Sequence, residues 1–461
     1  MMKKWMKWTV IAMATVGLGV LLTGCGGAKD DAADADTEKI ELKYANWNLG
    51  TESDKNIERR MIDAYNKAHK DVKIVIDKSI TGDDYQGSLT TAASAGKLPD
   101  VFMINDIPNS YKNDWLLDLT KMTADDADFA SISDEIKSTT KVNDAVVAMP
   151  FAKHILGYYV NKDILDELNL DVPEQGISIA DFVKNVKAAT NLDKNIVGTD
   201  SAQAMIDWYP GAVNNDMGWF TFTDGKFALD GKEMVAGMNA VKDLTTNGYS
   251  YNDLTAEQKE KMSADDSGAA FKAGQIAFYY NGTYMNADLQ KNADFNFEFI
   301  GLPGGRNAIV NDYLGISKST KHAKEAYDFA KYMSYGKKGF MERMAISEKN
   351  GLELSSLPIT DDKEVTDKYW ELVTVPGVQT ANENLANAMF DPTKVVPGYI
   401  QARFEAPTGL KIGDEENANI WYAINEAAKG TINYQDYAKQ LQELAQKSYD
   451  EAAAAMNSSS K

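Results

Sequence analysis

The stretch Val101-Phe-Met-Ile104, followed at once by Asn105 and Asp106, is the part of the sequence that decides the fold. Four consecutive apolar residues after the turn Gly96-Lys-Leu-Pro-Asp100 are typical of a strand that is buried on both faces. A strand of this kind needs a layer of helices above and below it. The stretch therefore predicts the interior of an α/β sheet that ends in two polar residues.

The residues that precede this strand repeat the same pattern. Apolar and charged residues alternate from Ile40 to Tyr44, and Val72 to Ile76 forms a second short run of strand-forming residues. Apolar residues at helical spacing fill the two intervals, from Ile57 to Ala68 and from Tyr85 to Ala95. Strands that alternate with helices predict a mostly parallel sheet with helices on both faces.

Polar and aromatic residues lie where these strands end. Trp47, Asp83, Asn105 and Asp106 all follow predicted strands, and open α/β sheets bind ligands at the carboxyl ends of their strands. We expect these four residues at a binding site. The structural alternatives are core packing for Trp47 and helix capping for Asp83 and Asp106.

The later part of the chain contains further elements of both kinds. We predict strands leading from 145–150 into 151–161, at 271–280 and at 313–317, a hairpin turn at Asp224-Gly225, and helices after Ser178, at 323–333 and twice near the C-terminus. A chain of 461 residues exceeds what one hydrophobic core usually supports, so we expect two lobes.

The N-terminus has the features of a secretory signal. Lysines near the start precede an apolar run that is too short to span a membrane comfortably and that ends at Leu22-Thr-Gly-Cys25. This ending resembles a bacterial lipobox, which implies that Cys25, the only cysteine, carries lipid. An ordinary secretory signal with an incidental cysteine is the alternative. Residues 26–39 are small and acidic, which predicts a flexible linker.

The composition excludes some classes of partner. A formal net charge of −20 disfavours nucleic acid and anionic membrane surfaces. The three histidines are far apart in the sequence and show no metal-ligand spacing. We expect no metal ion and no cofactor.

Several motifs, in a shared order, resemble those of the extracellular solute-binding proteins of bacterial ABC transporters, and most closely their sugar-binding members related to maltose-binding protein. The motifs are Gly96-Lys-Leu-Pro-Asp100, Leu116-Leu-Asp-Leu-Thr120, Met149-Pro-Phe151, Tyr158-Tyr-Val-Asn-Lys-Asp163, Phe271-Lys-Ala-Gly-Gln-Ile-Ala277 with Asn281-Gly282, and Leu302-Pro-Gly304. The resemblance extends from about Ile40 to the C-terminal helix.

The resemblance implies a two-lobe periplasmic-binding-protein-like fold of type II, in which each lobe is a mainly parallel sheet flanked by helices and a multi-segment hinge joins the lobes. The implied regions are a lipoprotein signal peptide at 1–25, the linker at 26–39, an N-terminal lobe at 40–153 and 311–355, a C-terminal lobe at 154–310 and 356–456, and a disordered tail at 457–461. The hinge crossings are expected near Lys153, at 308–312 and at 349–357. Solute binds between the lobes, which close over it.

The resemblance also implies ligand-binding residues. Asp106 matches an aspartate that bonds sugar hydroxyls, and His154 stands at the first crossing, where maltose-binding protein has an acidic residue. Trp208, Tyr209, Tyr284 and Trp421 match rings that stack on sugars, although the helical spacing of Trp421 equally fits a core residue. Further candidates are Trp219, Asn281, Tyr313 and Arg403. We expect Trp208→Ala to weaken binding without much change in melting temperature.

The function implied is that of a non-enzymatic, lipid-anchored receptor on the outer face of the bacterial cell membrane. It captures a carbohydrate, as a monomer, and passes it to the permease subunits of an ABC transporter. A receptor for a peptide, amino acid or anion is the first alternative. The candidate residues are mainly aromatic and acidic, however, whereas anion sites usually supply arginine or lysine. A surface glycoside hydrolase, which needs two carboxylates flanking one bond, is the second alternative.

Overall fold

A computed structural model describes residues 39–262 and 264–458, without the side chains of 457 and 458. The predicted signal peptide, Cys25 and nearly all of the predicted linker lie outside the described residues. At the other end the last helix continues to Ser458, so it includes the first two residues of the predicted tail.

The described residues form eleven strands. Their bounds are β1 Ile40–Ala45, β2 Val72–Ile76, β3 Val101–Ile104, β4 Lys141–Val142, β5 Ala145–Val146, β6 Met149–Asn161, β7 Val197–Thr199, β8 Ile276–Gly282, β9 Phe297–Phe299, β10 Ala308–Ile316 and β11 Met389–Phe390.

Nineteen α-helices accompany these strands in the same part of the chain. They are α1 Ile57–Ala68, α2 Tyr85–Ser94, α3 Ile107–Lys112, α4 Thr120–Ala124, α5 Ala127–Ala130, α6 Asp134–Ser138, α7 Lys162–Glu167, α8 Ile179–Ala188, α9 Met205–Val213, α10 Lys232–Thr246, α11 Ala256–Lys261, α12 Ser267–Lys272, α13 Asn286–Asn292, α14 Ala323–Met333, α15 Lys337–Asn350, α16 Lys363–Leu372, α17 Val378–Glu383, α18 Ile420–Ala428 and α19 Tyr434–Ser458. A π-helical turn, Gln401–Glu405, precedes α18.

One mixed sheet of nine strands organises the described part of the chain. Its order is β2-β1-β3-β10-β6-β8-β7, with β11 beside β10 and β9 beside β6, while β4 and β5 form a separate hairpin. The pairs β1–β2 and β1–β3 are parallel, as predicted, and β7–β8 is parallel as well. The central pairs β3–β10, β10–β6 and β6–β8 are antiparallel. The expectation of one mainly parallel sheet per lobe therefore needs correction, because β6 and β10 connect both halves of a single sheet.

The first three predicted strands and the helices between them are confirmed. Leu42 and Tyr44 alternate inward from β1 and are fully buried, and all four residues of β3 are buried. Side-chain caps start the helices: Asn56 accepts a hydrogen bond from Arg59 N, and Ser178 accepts one from Asp181 N. Both caps satisfy backbone donors that have no partner within the helix.

Three predicted elements differ from the structure. The strand predicted at 313–317 is the end of β10, which begins at Ala308 and ends at Ile316. The predicted strand 271–280 begins only at Ile276, since its first two residues end α12 and the turn that follows places Gly274 at a φ of 74°. An apolar run alone did not distinguish the end of a helix from the start of a strand. The Asp224-Gly225 turn exists, but only an isolated bridge between Thr223 and Lys226 flanks it.

Three segments that were expected to cross between lobes lie side by side. On β6, Lys153 pairs with Asn311 of β10 and forms an isolated bridge to Leu357. Ser356 Oγ accepts a further hydrogen bond from the backbone nitrogen of Lys153, at 3.2 Å. These contacts bring the three predicted crossing segments together at the centre of the sheet.

The buried apolar residues form three clusters. One contains β1 to β3 and α1, a second contains α9, α10, α18 and α19, and a third contains α12, α16 and parts of α15. Helix α15 contributes Ile346 to the first cluster and Phe340 and Met344 to the third. Among the described helices, none is both long enough and apolar enough to cross a bilayer.

Candidate functional site

A cavity of about 470 Å³ lies against the central strands β6 and β10. Successive side chains of a strand point to opposite faces, so residues two apart share one face. Ala152 and His154 of β6 and Val310 and Asp312 of β10 line the cavity, and the register pairs His154 with Val310 and Ala152 with Asp312. The floor of the cavity is thus set by the antiparallel pairing of two strands.

Residues from distant parts of the chain form the walls. They are Trp47, Asn48, Glu58, Phe151, Tyr284, Phe340, Arg343, Ser355, Ser356 and Lys394. A second cavity, of about 560 Å³, adjoins it and shares Asn48, Glu58, Arg343, Ser355 and Ser356. The buried ion pair between Arg343 and Glu58 lines both cavities.

The polar centre of the cavity is Asp312. Its carboxylate forms an ion pair with Lys394 Nζ, and His154 Nε2 lies 3.6 Å from it. Burial by itself raises the pKa of Asp312, but the interactions with His154 and Lys394 outweigh burial and lower that pKa to about 2. Asp312 is therefore a carboxylate at neutral pH, and it presents hydrogen-bond acceptors beside the cavity.

Two aromatic rings stand at the mouth of this cavity. Tyr284 is 42% exposed, and the His154 ring meets it edge to face at 5.2 Å. Trp47 is half-buried, packs edge to face on Tyr85 at 5.2 Å and has Lys394 Nζ 5.8 Å from its centroid. The structure thus brings together Trp47, His154 and Tyr284. Flat rings beside fixed hydrogen-bonding groups suit a ligand with both apolar faces and hydroxyls.

Asp106 lies close to this cavity through the loop that carries Lys394. Its side chain caps α3 by accepting a hydrogen bond from Asn109 N. This is the structural alternative that the sequence offered for Asp106. The backbone nitrogen of the next residue, Ile107, donates to Lys394 O at 2.9 Å. Burial raises the pKa of the Asp106 carboxyl, and the charge of Glu405 raises it further. The hydrogen bond from Asn109 N lowers this pKa, but not enough to offset burial.

A second group of predicted residues meets around Arg403. Its Nη2 donates to Asp207 Oδ1 at 2.9 Å, and its guanidinium carbon lies 4.7 Å from the ring centroid of Trp421. Arg403 is 1% exposed, whereas Trp421 is 39% exposed. Trp421 therefore remains available as a stacking surface, while Arg403 does not reach the solvent.

Three predicted site residues lie in the core instead of on a cavity wall. Trp208 is fully buried and packs edge to face on Tyr158 and Phe182. Trp219 is 7% exposed, and Tyr313 is 2% exposed with its hydroxyl donating to Thr139 at 2.8 Å. Trp208 and Trp219 both belong to the cluster around α9 and α10. The structure therefore replaces the proposed stacking role of Trp208 with a packing role.

The remaining predicted residues lie away from the cavity. Asp83 is exposed and lines a surface groove of about 800 Å³ that also reaches Trp47, while Asp84, not Asp83, caps α2. Tyr209 packs over Gly237 of α10. Asn281 donates to Tyr279 Oη at 2.7 Å. Asn105 is half-buried at the end of β3.

Sequence reasoning missed the charged residues of the site. Asp312, Lys394 and the Glu58–Arg343 pair carry no local motif, because their partners lie 82 and 285 residues away along the chain. The strand pattern offered one signal, since Asn311 and Asp312 are adjacent polar residues inside a mostly apolar run. Within the described residues, no group of three or more potential metal ligands occurs.

Comparison with known proteins identifies the class. The sequence profile of the family described as bacterial extracellular solute-binding proteins matches residues 60–366. This is well over half of the chain, so the protein belongs to that family. The family is one of binding proteins, which confirms the prediction of a receptor rather than an enzyme.

Curated relatives share about a quarter of their residues with this chain. It is 25% identical to the multiple sugar-binding protein of Streptococcus mutans over 360 residues, which are 72% of this chain and 79% of that protein. It is 24% identical to the melibiose/raffinose/stachyose-binding protein MelE of Bacillus subtilis over 353 residues, 71% of this chain and 77% of that protein.

Solved structures show the same fold. The ABC substrate-binding protein Lmo0181 from Listeria monocytogenes, in complex with cycloalternan, superposes with a TM-score of 0.68 over 89% of this chain and 99% of its own, at 20% identity. The maltose-maltodextrin binding protein of Alicyclobacillus acidocaldarius gives 0.60 over 88% and 100%, at 17% identity. The mixed α/β architecture of this chain is thus that of the binding-protein structures.

Proposed function

We propose that this protein is a lipid-anchored extracellular receptor that captures an oligosaccharide and delivers it to an ABC transporter permease. The observation that carries the proposal is the cavity over β6 and β10, where the rings of Trp47 and Tyr284 stand beside Asp312, His154 and Lys394. Rings can stack on the apolar faces of a sugar, and the charged groups can hydrogen-bond its hydroxyls.

The proposed ligand is supported by the pairing of charges in the cavity. Lys394 is already bound to Asp312, and Arg343 is already bound to Glu58, so neither cation is free to hold a ligand carboxylate. Anion sites typically commit an arginine or lysine to the ligand. Relatives named for multiple sugars and for melibiose, raffinose and stachyose agree with an uncharged carbohydrate.

The proposal includes two lobes that close over the ligand. The N-terminal lobe is 40–153 with 311–355, and the C-terminal lobe is 154–310 with 356–456. The clusters around β3 and around α9 support this division, and a third cluster joins α15 of the first lobe to α12 and α16 of the second. The pairing of Lys153 with Asn311 and Leu357 supports a hinge at the centre of the sheet. A ligand shifts such an equilibrium only if it contacts both lobes.

The lipid anchor is the part of the proposal that rests on the sequence. Residues 1–25 form the signal, Cys25 receives the lipid and 26–39 link it to the folded part. Cys25→Ser is expected to remove palmitate labelling in cells, and unchanged labelling would contradict the anchor.

A thermal-shift screen tests the function most simply. Purified protein without its signal is heated with melibiose, raffinose, stachyose, maltotetraose and xylotetraose, and in parallel with amino acids, oligopeptides and inorganic phosphate. We expect stabilisation by at least one sugar, because a ligand at 100 times its Kd stabilises the folded state by about 2.7 kcal/mol. Stabilisation by an amino acid or peptide alone, or catalytic release of smaller sugars, would overturn the proposal.

A further inference from the structure

Trp421 is an aromatic ring that the protein exposes and supports from within. It is one of three large apolar side chains that are exposed among the described residues, at 39%. It lies in the first turn of α18, where Asn419 caps the helix by accepting a hydrogen bond from Tyr422 N at 2.8 Å. The backbone beneath the ring is therefore fixed.

The buried side of the Trp421 ring rests on Arg403. The guanidinium carbon of Arg403 lies 3.6 Å from the ring centroid of Phe220, 4.7 Å from that of Trp421 and 4.9 Å from that of Phe404. A planar guanidinium packs well on aromatic faces. Three rings thus enclose one buried cation.

Few hydrogen bonds hold this cation. Arg403 Nη2 donates to Asp207, but Nε and Nη1 are buried with no hydrogen-bond partner. A buried charge with so few partners is costly. Arg403 is therefore held by one ion pair, to Asp207, and by its contacts with the three rings.

The backbone on both sides of the stack is unusual. Phe220 has φ 49° and ψ 45°, and Thr221 follows with φ 63°, which is a left-handed conformation that bulky residues rarely adopt. Arg403 and Phe404 lie in the π-helical turn Gln401–Glu405. Backbone of both kinds concentrates at functional positions.

The segment that carries Arg403 and Phe404 is linked to the candidate site through Asp106. Glu405, next to Phe404, lies close enough to Asp106 for its charge to raise the pKa of that carboxyl. Asp106 in turn precedes Ile107, which bonds to Lys394 O at the cavity. Glu405, Asp106 and Ile107 thus connect the segment that carries Arg403 to the segment that carries Lys394.

We propose that Arg403 is a positioning residue, which holds the Trp421 ring as a rigid platform on which a sugar stacks, and which does not itself touch the ligand. The ligand in this inference rests on the proposed function, whereas the contacts between Arg403 and Trp421 do not depend on it. A platform that is ordered before binding loses less side-chain entropy when the sugar arrives.

Fluorine NMR of the ligand-free protein tests the geometry. Protein labelled with 5-fluorotryptophan is compared with Arg403→Met and Arg403→Lys, and Trp421→Phe identifies the Trp421 resonance. We expect both arginine variants to shift and broaden that resonance and to leave those of the distant Trp47, Trp115 and Trp370 unchanged, whereas Trp208 and Trp219 adjoin the partners Asp207 and Phe220. Lysine keeps a positive charge that can pair with Asp207 but lacks the planar guanidinium. Arg403→Lys therefore separates the effect of stacking from the effect of charge.

A double-mutant cycle tests the role in binding, with the tightest sugar of the thermal-shift panel as the probe. Trp421→Ala is expected to weaken binding about tenfold and Arg403→Met about fivefold. The double variant should bind no more weakly than Trp421→Ala alone, since Arg403 acts through that ring.

An unchanged Trp421 resonance, multiplicative losses of affinity, or full recovery of signal and affinity by lysine would each overturn the proposal. Arg403→Lys keeps these outcomes open to measurement even if Arg403→Met does not fold. If wild type binds no sugar, the proposed function fails, while the fluorine spectra still decide whether Arg403 positions Trp421.

Discussion

Asp312 is the residue on which the chemistry of the cavity depends, because it is a buried carboxylate with two basic partners. We expect Asp312→Asn to destabilise the protein at pH 7 by about 2 kcal/mol, the equivalent of a shift between the ordinary pKa and about 2. Urea unfolding of wild type and variant measures this difference. The substitution removes the carboxylate that lies beside both Lys394 and His154.

The pH dependence of that difference has a definite sign. A carboxyl whose pKa is lower in the folded than in the unfolded protein contributes stability that is fully present above the unfolded value of 3.8. This contribution is lost as the pH falls through the folded value of about 2. The wild-type advantage should thus be constant above about pH 5 and shrink between about pH 4 and pH 2. An advantage that grows on acidification would contradict the assignment.

Trp208 and Tyr284 form a matched pair that separates packing from binding. Trp208→Ala is expected to reduce the free energy of unfolding by about 3–5 kcal/mol, because the ring is fully buried. Tyr284→Ala should change it by less than about 0.5 kcal/mol and weaken sugar binding, because that ring is exposed at the cavity. Chemical denaturation and calorimetry measure both. A stable Trp208→Ala that loses binding would restore the earlier interpretation from sequence.

The site was only partly predictable at the scale of single residues. Trp47, His154 and Tyr284 were identified because a strand end, a crossing segment and a family motif each mark a position in the sequence. The exposure of a side chain has no such marker in the sequence. Trp208 and Trp421 both match family rings that stack on sugars, yet Trp208 is buried and Trp421 is exposed. Lys394 reaches Asp312 only through the fold.

At the scale of elements, β6 passes so close to a neighbouring segment that one of its positions has no room for a side chain. Gly157 lies in this strand, and a Cβ there would stand 2.6 Å from the backbone Cα of Gly301. We expect Gly157→Ala to destabilise the protein by about 2 kcal/mol or more, since backbone cannot move aside as a side chain can.

Gly82→Ala is the control for that substitution. Gly82 is exposed, and a Cβ there would meet nothing within 4 Å. Its effect should stay within about 1 kcal/mol, with a slight gain from reduced freedom of the unfolded chain. Equal effects of the two substitutions in thermal or urea unfolding would mean that the close approach of β6 to Gly301 is not present in solution.

The elements that could be predicted are those with local signals. Hydrophobic periodicity predicted β1, α1, β2 and β3, because each pattern lies within the element itself. The antiparallel pairing of β6 with β10 could not be predicted, since the two strands are separated by some 150 residues and no local pattern sets their relative direction. The single mixed sheet follows from that pairing.

At the scale of the whole molecule, the proposed closure predicts a change of shape. Small-angle X-ray scattering should show a smaller radius of gyration when the tightest sugar of the panel is added at saturation. The physical reason is that a ligand held by both lobes favours the closed state. At a sugar concentration that saturates only wild type, Tyr284→Ala should keep the radius of gyration of the ligand-free protein. An unchanged radius in saturated wild type would rule out closure, although not binding.

Isothermal titration calorimetry with wild type and the double variant Trp47→Ala/Tyr284→Ala tests the central claim most directly. We expect heat of binding from a sugar of the panel, with a negative heat-capacity change, and none from amino acids or peptides. The double variant should lose at least tenfold in affinity while still unfolding in one cooperative transition, at a lower temperature because Trp47 packs on Tyr85. Sugar binding that is unaffected by removal of both rings, or binding of amino acids or peptides alone, would contradict a carbohydrate site in the cavity over β6 and β10.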